Sequence, residues 1–97
     1  MENKVQPKKY CVDIDLEVEG YGSAKTIGTI GRFDTYDKAM NFAKTYAKNK
    51  KNFKKKWLKE ADEILLVIRH NYEFDENGYP TESDDEDFVE VDFSYGG

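Results

Sequence analysis

In the stretch "YCVDIDLEVE", residues 10–19, apolar and acidic residues alternate strictly from Val12 onward. A period of two places successive side chains on opposite faces of a β-strand. One face is apolar, and the other carries Asp13, Asp15, Glu17 and Glu19. The pattern predicts a strand with one face in a hydrophobic core and the other face open to water or to a partner.

A second strand follows at residues 25–33, "KTIGTIGRF", where polar and apolar residues again alternate. The intervening residues 19–24, "EGYGSA", contain two glycines and favour a reversal of the chain, so the pair is predicted to form a β-hairpin. Gly28 and Gly31 weaken this second strand, and they indicate a β-bulge or the close approach of a helix.

The spacing of apolar residues changes from two to about 3.6 at residues 34–49, "DTYDKAMNFAKTYAKN", which predicts a helix. Asp34 or Thr35 can serve as its N-cap, and Asp37 favours the positive end of the helix dipole. Residues 50–62 keep helical spacing, but Asn49 and Asn52 are able to interrupt it. We therefore expect either a second helix or a bent continuation of the first.

Two further strands are predicted. Residues 63–74, "EILLVIRHNYEF", begin with an apolar run typical of a central strand, and residues 88–95, "FVEVDFSY", form the last strand, with residues 75–87 as a long connection. The expected fold is α+β: a single antiparallel or mixed four-stranded sheet in the order β-β-α-β-β, with the helix, in one piece or two, packed on one face. Residues 1–8 are expected to be a flexible arm and residues 9–97 a single domain.

Charge is strongly segregated along the 97 residues. Residues 23–60 hold 11 basic and 3 acidic groups, whereas residues 61–97 hold 1 basic and 12 acidic groups. The lone Cys11 cannot form an intrachain disulfide, and neither a leader nor a membrane-spanning run is evident, so we expect a cytoplasmic protein.

No catalytic signature is present, and we expect the chain not to be an enzyme. Cys11 lies on the acidic face of its strand, where carboxylates raise the pKa of a thiol and make it a poor nucleophile. His70, the one histidine, is expected to be an ordinary residue of a sheet face. Residues 75–87 have the acid density of a calcium loop, but Gly78 falls at position 4 counted from Asp75 rather than at position 6. Neither a metal site nor a cofactor is predicted.

The basic segment at residues 44–59 has eight lysines and no acid, interleaved with Tyr46, Phe53 and Trp57. Such a segment can contact phosphates while its aromatic rings stack on bases. A small nucleic-acid-binding module using Lys50, Lys51, Lys54, Lys55, Lys56 and Trp57 is therefore an alternative function. It is not favoured, because the segment contains no arginine and the acidic half of the same domain repels a polyanion.

The acidic strand faces offer a more specific interpretation. Residues on the same face of a strand stand about 6.6 Å apart, close to the spacing of phosphates along one nucleic-acid strand. The carboxylates of residues 13–19 would form one row, and those of the last strand and its preceding connection would form another. The candidate contact residues are Asp13, Asp15, Glu17, Glu19, Asp84, Asp85, Glu86, Asp87, Glu90 and Asp92, with residues 84–87 as a flexible addition.

In size, acidity and the carboxylates of "CVDIDLEVE" and "DDEDFVEVD", the chain resembles small acidic host-takeover and anti-defence proteins of bacteriophages that mimic DNA. Within that class it is most similar to phage inhibitors of the nucleoid-associated protein HU. The resemblance implies a homodimer that occupies the DNA-binding surface of a basic bacterial protein without catalysis. A third hypothesis is an interaction module that extends a partner's sheet through an edge strand.

Overall fold

A computed structural model of the protein describes residues 8–17 and 24–91. Its elements are β1 (Tyr10–Glu17), β2 (Ala24–Phe33), α1 (Tyr36–Ala47), a 3₁₀ turn (Lys50–Asn52), α2 (Lys55–Glu60), β3 (Glu63–Phe74) and β4 (Pro80–Glu90). The strands form one open antiparallel sheet in the spatial order β2-β1-β3-β4. The prediction of an α+β fold with a four-stranded sheet is confirmed, and the sheet is antiparallel throughout. The reversal predicted at residues 19–24 lies almost entirely outside the described residues.

The hydrophobic core lies between one face of this sheet and the helices. Val12, Ile14 and Leu16 of β1 point into it, as the alternation predicts. The other buried members of the core come from β3, from the helical segments and from the residue after β4: Ile64, Leu66, Ile68, Ala39, Ala43, Phe53, Ala61 and Val91. We call this side of the sheet the helix face and the side that bears Asp13 and Asp15 the acidic face.

Helix α1 begins and ends where local polar groups satisfy its free backbone groups. The Thr35 hydroxyl accepts a 3.2 Å hydrogen bond from the backbone N–H of Lys38, which makes Thr35 the N-cap. At the other end, the Asn49 side chain accepts from the backbone N–H of Lys51, and Asn52 Nδ2 donates to the Tyr46 carbonyl at 3.0 Å. The two asparagines therefore interrupt the helix, and α2 forms as a separate short piece.

Strand β2 is irregular, as its glycines predict. Its pairing with β1 shifts register between Val12 and Asp13 and again between Ile14 and Asp15. Gly31 lies where a Cβ atom would meet the Phe33 ring at 2.8 Å and the Phe42 ring of α1 at 3.3 Å. A side chain at this position would therefore displace the Phe33 ring, at the point where α1 approaches this edge of the sheet.

The connection between β3 and β4 is much shorter than predicted. Asp75 Oδ1 accepts 2.9 Å hydrogen bonds from the backbone N–H groups of Asn77 and Tyr79, and Gly78 adopts a φ of 89°. These bonds close a tight turn at residues 75–79, so the prediction of a long connection at residues 75–87 is wrong. The last strand begins at Pro80 instead of residue 88, and residues 92–95 of the predicted strand lie outside the described residues.

Two contacts fix the ends of the sheet. The Asn71 side chain donates to the Lys8 carbonyl at 3.1 Å, which ties the chain entering β1 to β3. At the tip of the β3–β4 hairpin, the Tyr79 ring lies 5.7 Å from the guanidinium carbon of Arg32 in β2. In the part of the chain that is described, no helix is long and apolar enough to cross a membrane.

Candidate protein-binding surface

Asp13 and Asp15 lie on the acidic face, but they are not the exposed row that the alternation predicts. They are only 8% and 7% exposed. The Thr29 hydroxyl of β2 donates to Asp13 Oδ1 at 2.5 Å, and the Thr26 hydroxyl donates to Asp15 Oδ1 at 2.8 Å. The expectation that these two carboxylates face a partner is therefore wrong, because neighbouring strands cover them and satisfy their oxygens.

Arg69 of β3 holds these carboxylates in place. Its Nη1 donates to Asp13 Oδ2, its Nη2 lies 3.2 Å from Asp15 Oδ2, and its Nε donates to Asp85 of β4 at 2.8 Å. Burial lowers the pKa of the guanidinium, but the hydrogen bonds to Asp85 and Asp13 outweigh burial and raise the pKa above its ordinary value. One cation thus ties β1 to β3 and β4.

Sequence reasoning missed this role of Arg69, although a signal was present. Arg69 is the single basic residue among residues 61–97. A lone arginine in the middle of an acidic strand pair has several carboxylates within reach, and its planar fork can bind more than one of them. Which carboxylates it meets depends on the register of β1, β3 and β4, and register between distant strands cannot be read from a local pattern.

Glu17 stands at the end of the same row, in a different environment. It is half-buried and pairs across the sheet with Glu63 of β3. A hydrogen bond from the Glu63 carboxyl group to Glu17, together with the repulsion between the two charges, raises the pKa of Glu63 above its ordinary value. Negative charge is therefore crowded at this end of the acidic face. Glu19, the next predicted member of the row, lies outside the described residues.

The acidic cluster at residues 84–87 lies in strand β4 rather than in a flexible loop, so that prediction is wrong. Strand β4 is an edge of the sheet and hydrogen-bonds only to β3 within the described residues. Five of its six carboxylates are exposed: Glu82, Asp84, Asp85, Glu86 and Glu90. Glu86 has no partner in the register of β3, because the pairing shifts between Ile68 and Arg69. Asp92, also predicted as a contact residue, lies outside the described residues.

Asp87 is the sixth carboxylate of β4, and it faces the helix layer. The Tyr36 hydroxyl at the start of α1 donates a hydrogen bond to it. This bond, and a second from the backbone N–H of Phe88, lower the pKa of Asp87, while the bond to Asp87 raises the pKa of the Tyr36 phenol. The contact fastens α1 to the edge strand.

The field around β4 is negative among the described residues. Exposed Tyr72 of β3 has a raised pKa, mainly because the Asp84 carboxylate is close. Within the described ranges, ion pairs to lysine or arginine are formed by Asp85 but not by Glu82, Asp84 or Glu86. Lys44 of α1 and Lys48, the residue that follows the helix, lie near Glu90, at the far end of the strand. The uncompensated charge is therefore concentrated at residues 82–86.

A shallow depression of about 390 Å³ opens on the acidic face beside β4. Leu65 and Val67 of β3 and Phe88 of β4 supply its apolar surface, and its other lining residues are Asp15, Glu17, Asp85, Glu86 and Asp87. Asp87 nevertheless directs its carboxylate to Tyr36 on the helix face. Phe88 is 56% exposed, an unusual placement for a phenylalanine in an acidic strand. The sequence analysis placed Phe88 at the start of a strand, whereas β4 begins at Pro80 and Phe88 lies near its end. It therefore did not identify Phe88 as an exposed residue beside the acidic cluster.

The remaining reactive groups have structural partners. Cys11 is buried, and burial followed by the nearby Asp13 charge raises the pKa of its thiol. Its Sγ lies 3.6 Å from Asn71 Oδ1, within the sulfur hydrogen-bond range. His70 lies against the Tyr10 ring, with 5.1 Å between the ring centroids. Among the described residues, no group of three or more histidine, cysteine, aspartate or glutamate side chains is placed to hold a metal ion.

The aromatic residues of the basic segment belong to the core. Phe53 is 4% exposed, and Tyr46 and Trp57 pack against the buried cluster. The Lys54 ammonium lies 5.5 Å from the centre of the Trp57 ring. These rings are not a free platform for stacking bases, which removes one of the two supports for the nucleic-acid-binding alternative. The lysines themselves, including Lys50, Lys51 and Lys54 to Lys56, are exposed.

Comparison of the chain with protein-family models, with curated proteins and with solved structures found no match in any of the three.

Proposed function

We propose that this chain is a non-enzymatic inhibitor that mimics DNA and occupies the DNA-binding surface of a basic bacterial protein of the HU type in the host cytoplasm. The observation that carries the proposal is the exposed row of carboxylates on edge strand β4. Within five residues of this strand, Glu82, Asp84 and Glu86 place three negative charges that form no ion pair among the described residues, and a nucleic-acid backbone likewise presents a dense line of negative charge. The bulge at Glu86 turns its side chain to a different face from that of Asp84, so these charges follow the strand without forming one flat row.

The pairing of β4 with β3 supports this proposal because it holds the charges in fixed positions. A disordered acidic tail would lose conformational freedom on binding, whereas carboxylates on a paired strand are already ordered. The hydrogen bonds from Arg69 to Asp85 and from Tyr36 to Asp87 fasten β4 to the sheet and to α1. The proposed contact surface therefore consists of residues 82–86, with Glu17 and Glu90 at its margins, rather than of Asp13 and Asp15.

An exposed acidic edge has a simpler explanation. Charged side chains on an edge strand protect a sheet from pairing with other chains. Protection alone does not require charges of one sign, yet β4 carries six carboxylates in 11 residues and no lysine or arginine. Repulsion within such a row costs stability that a mixture with lysine would avoid. The excess of charge of one sign favours a role in binding a cationic surface.

A displacement titration tests the proposal. A fluorescently labelled DNA duplex is bound to a purified HU-type protein, and the unlabelled chain is added while fluorescence anisotropy is followed. The chain is expected to release the duplex at low salt and to become a much weaker competitor as salt is raised, because steering between charged surfaces is screened. Anisotropy that stays constant at all chain concentrations would rule out occupation of the DNA-binding surface.

A parallel titration of the labelled duplex with the chain alone tests the alternative. The proposal predicts no direct binding, whereas a nucleic-acid-binding module would raise the anisotropy of the duplex. The expected homodimer belongs to the same proposal, since a second copy would lengthen the charged surface. Sedimentation equilibrium should then give about twice the mass of the 11.3 kDa chain.

A further inference from the structure

The depression beside β4 has an apolar base that no described side chain fills. Val67 is buried, Leu65 is half-buried, and Phe88 stands opposite Val67 across the β3–β4 pair with more than half of its surface exposed. Exposed aromatic rings that adjoin a depression are common at protein-binding sites, because they provide a large apolar contact at a small entropic cost.

The rim of the depression lacks a matching cation. Asp15 and Asp85 are occupied by Arg69, but Glu17 and Glu86 form no ion pair with a lysine or arginine among the described residues. Glu17 is instead paired with another acid, Glu63. A surface with an apolar base and carboxylates beside it complements a lysine or arginine side chain, because the methylene groups of these residues are apolar and their ends carry a positive charge.

We infer that this depression binds an arginine side chain of the basic partner, with its methylene groups over Leu65 and Val67 and its guanidinium between the Phe88 ring and the carboxylate of Glu86. This inference rests on the proposed function and names the group that the surface recognises. Arginine fits better than lysine because its guanidinium is planar, weakly hydrated and able to stack on an aromatic ring while it binds carboxylates.

Peptides of equal charge test the inference. Labelled peptides of nine arginines and of nine lysines are titrated with the full chain, and binding is measured by fluorescence anisotropy. Wild-type chain is expected to bind the arginine peptide more tightly. Phe88→Ala should weaken arginine-peptide binding about five-fold, as expected for loss of an exposed cation–π contact, and should remove the preference over lysine. Phe88→Leu, which keeps an apolar side chain, should also lose the preference.

Tyr72→Ala is the matched control, because Tyr72 is another exposed aromatic of the same hairpin, 49% exposed, and does not line the depression. It should bind both peptides as wild type does, and circular dichroism should show all variants folded. Equal binding of the two peptides by wild type, unchanged binding by Phe88→Ala, or an equal loss in Tyr72→Ala would each overturn the inference. If the chain still displaces DNA in that case, the proposed function stands and only the arginine site fails.

Discussion

Arg69 Nε donates a 2.8 Å hydrogen bond to Asp85 Oδ1, and through this contact the exposed acidic edge is joined to the interior of the sheet. The same guanidinium binds buried Asp13 and Asp15. The acids of β1 and β4 are therefore parts of one charge network with two roles. The β1 carboxylates anchor Arg69, and Arg69 in turn fixes the β4 strand from which the other carboxylates project.

Replacement of Arg69 by alanine should lower the free energy of unfolding by about 3 kcal/mol. Asp13 and Asp15, whose side chains are only about one-tenth exposed, would lose the one ion-pair partner that they have among the described residues. Urea denaturation measures the loss. Arg32→Ala, which removes a cation from exposed β2, is the matched control and should cost much less. If the loss comes from uncompensated charge, adding Asp13→Asn and Asp15→Asn to the Arg69→Ala variant should restore part of the stability.

The double variant Asp13→Asn, Asp15→Asn in an otherwise wild-type chain should lower the urea midpoint, since the hydrogen bonds from Thr29, Thr26 and Arg69 lose a charged acceptor. Displacement of DNA from an HU-type protein should change little under conditions where the variant is folded, because both side chains are covered. A folded variant that has lost all competition would instead place β1 in the contact surface.

The bond between Tyr36 and Asp87 should make stability depend on pH at both ends of the scale. The pKa of Asp87 is lowered in the folded protein. Its carboxylate therefore adds to the free energy of unfolding above the unfolded-state pKa of about 3.9, and this contribution is lost as pH falls through the folded-state pKa. The pKa of Tyr36 is raised in the folded protein. Its neutral phenol therefore adds to the free energy of unfolding below the unfolded-state pKa of about 10, and this contribution is lost as pH rises through the folded-state pKa.

Tyr36→Phe isolates this effect. Urea denaturation of both proteins should show wild type more stable than the variant at pH 7, with the difference shrinking below about pH 4 and above about pH 10. A difference of the same size at pH 7 and pH 3 would mean that the hydroxyl acts without the Asp87 charge.

Gly78→Ala should destabilise the β3–β4 hairpin by about 1 kcal/mol, because Gly78 has a φ of 89° that side chains rarely adopt. Thermal unfolding followed by circular dichroism measures the effect. Asn77→Ala serves as the control, since Asn77 in the same turn has no positive φ and uses its backbone N–H rather than its side chain to bind Asp75. Equal stability of Gly78→Ala and wild type would contradict the assigned turn.

The alternation in residues 10–19 was sufficient to predict which β1 residues enter the core, because that face is set locally by a period of two. It could not predict that Asp13 and Asp15 are covered, since their cover consists of Thr26, Thr29 and Arg69 from other strands. A period assigns a face to a residue, but the neighbours on that face follow from strand order and register.

The position of β4 was missed for a different reason. Aspartate and glutamate are poor strand formers, so residues 82–87 read as a loop, yet pairing with residues 68–73 of β3 overrides that preference. The Asn77-Gly78 pair, a strong signal for a short hairpin turn, could have placed the start of β4 correctly. The hydrophobic spacing of the basic segment likewise favoured core positions for Phe53 and Trp57, as the structure has them.

A matched pair of charge variants distinguishes competition by the exposed carboxylates of β4 from a general effect of net charge. Glu82→Gln, Asp84→Asn, Glu86→Gln removes three exposed charges from β4, and Asp37→Asn, Glu60→Gln, Glu76→Gln removes three exposed charges elsewhere. In displacement of a labelled duplex from an HU-type protein, the β4 variant should need about ten-fold more chain than the control variant. Equal displacement by the two variants would contradict the account, because it would show that only net charge matters.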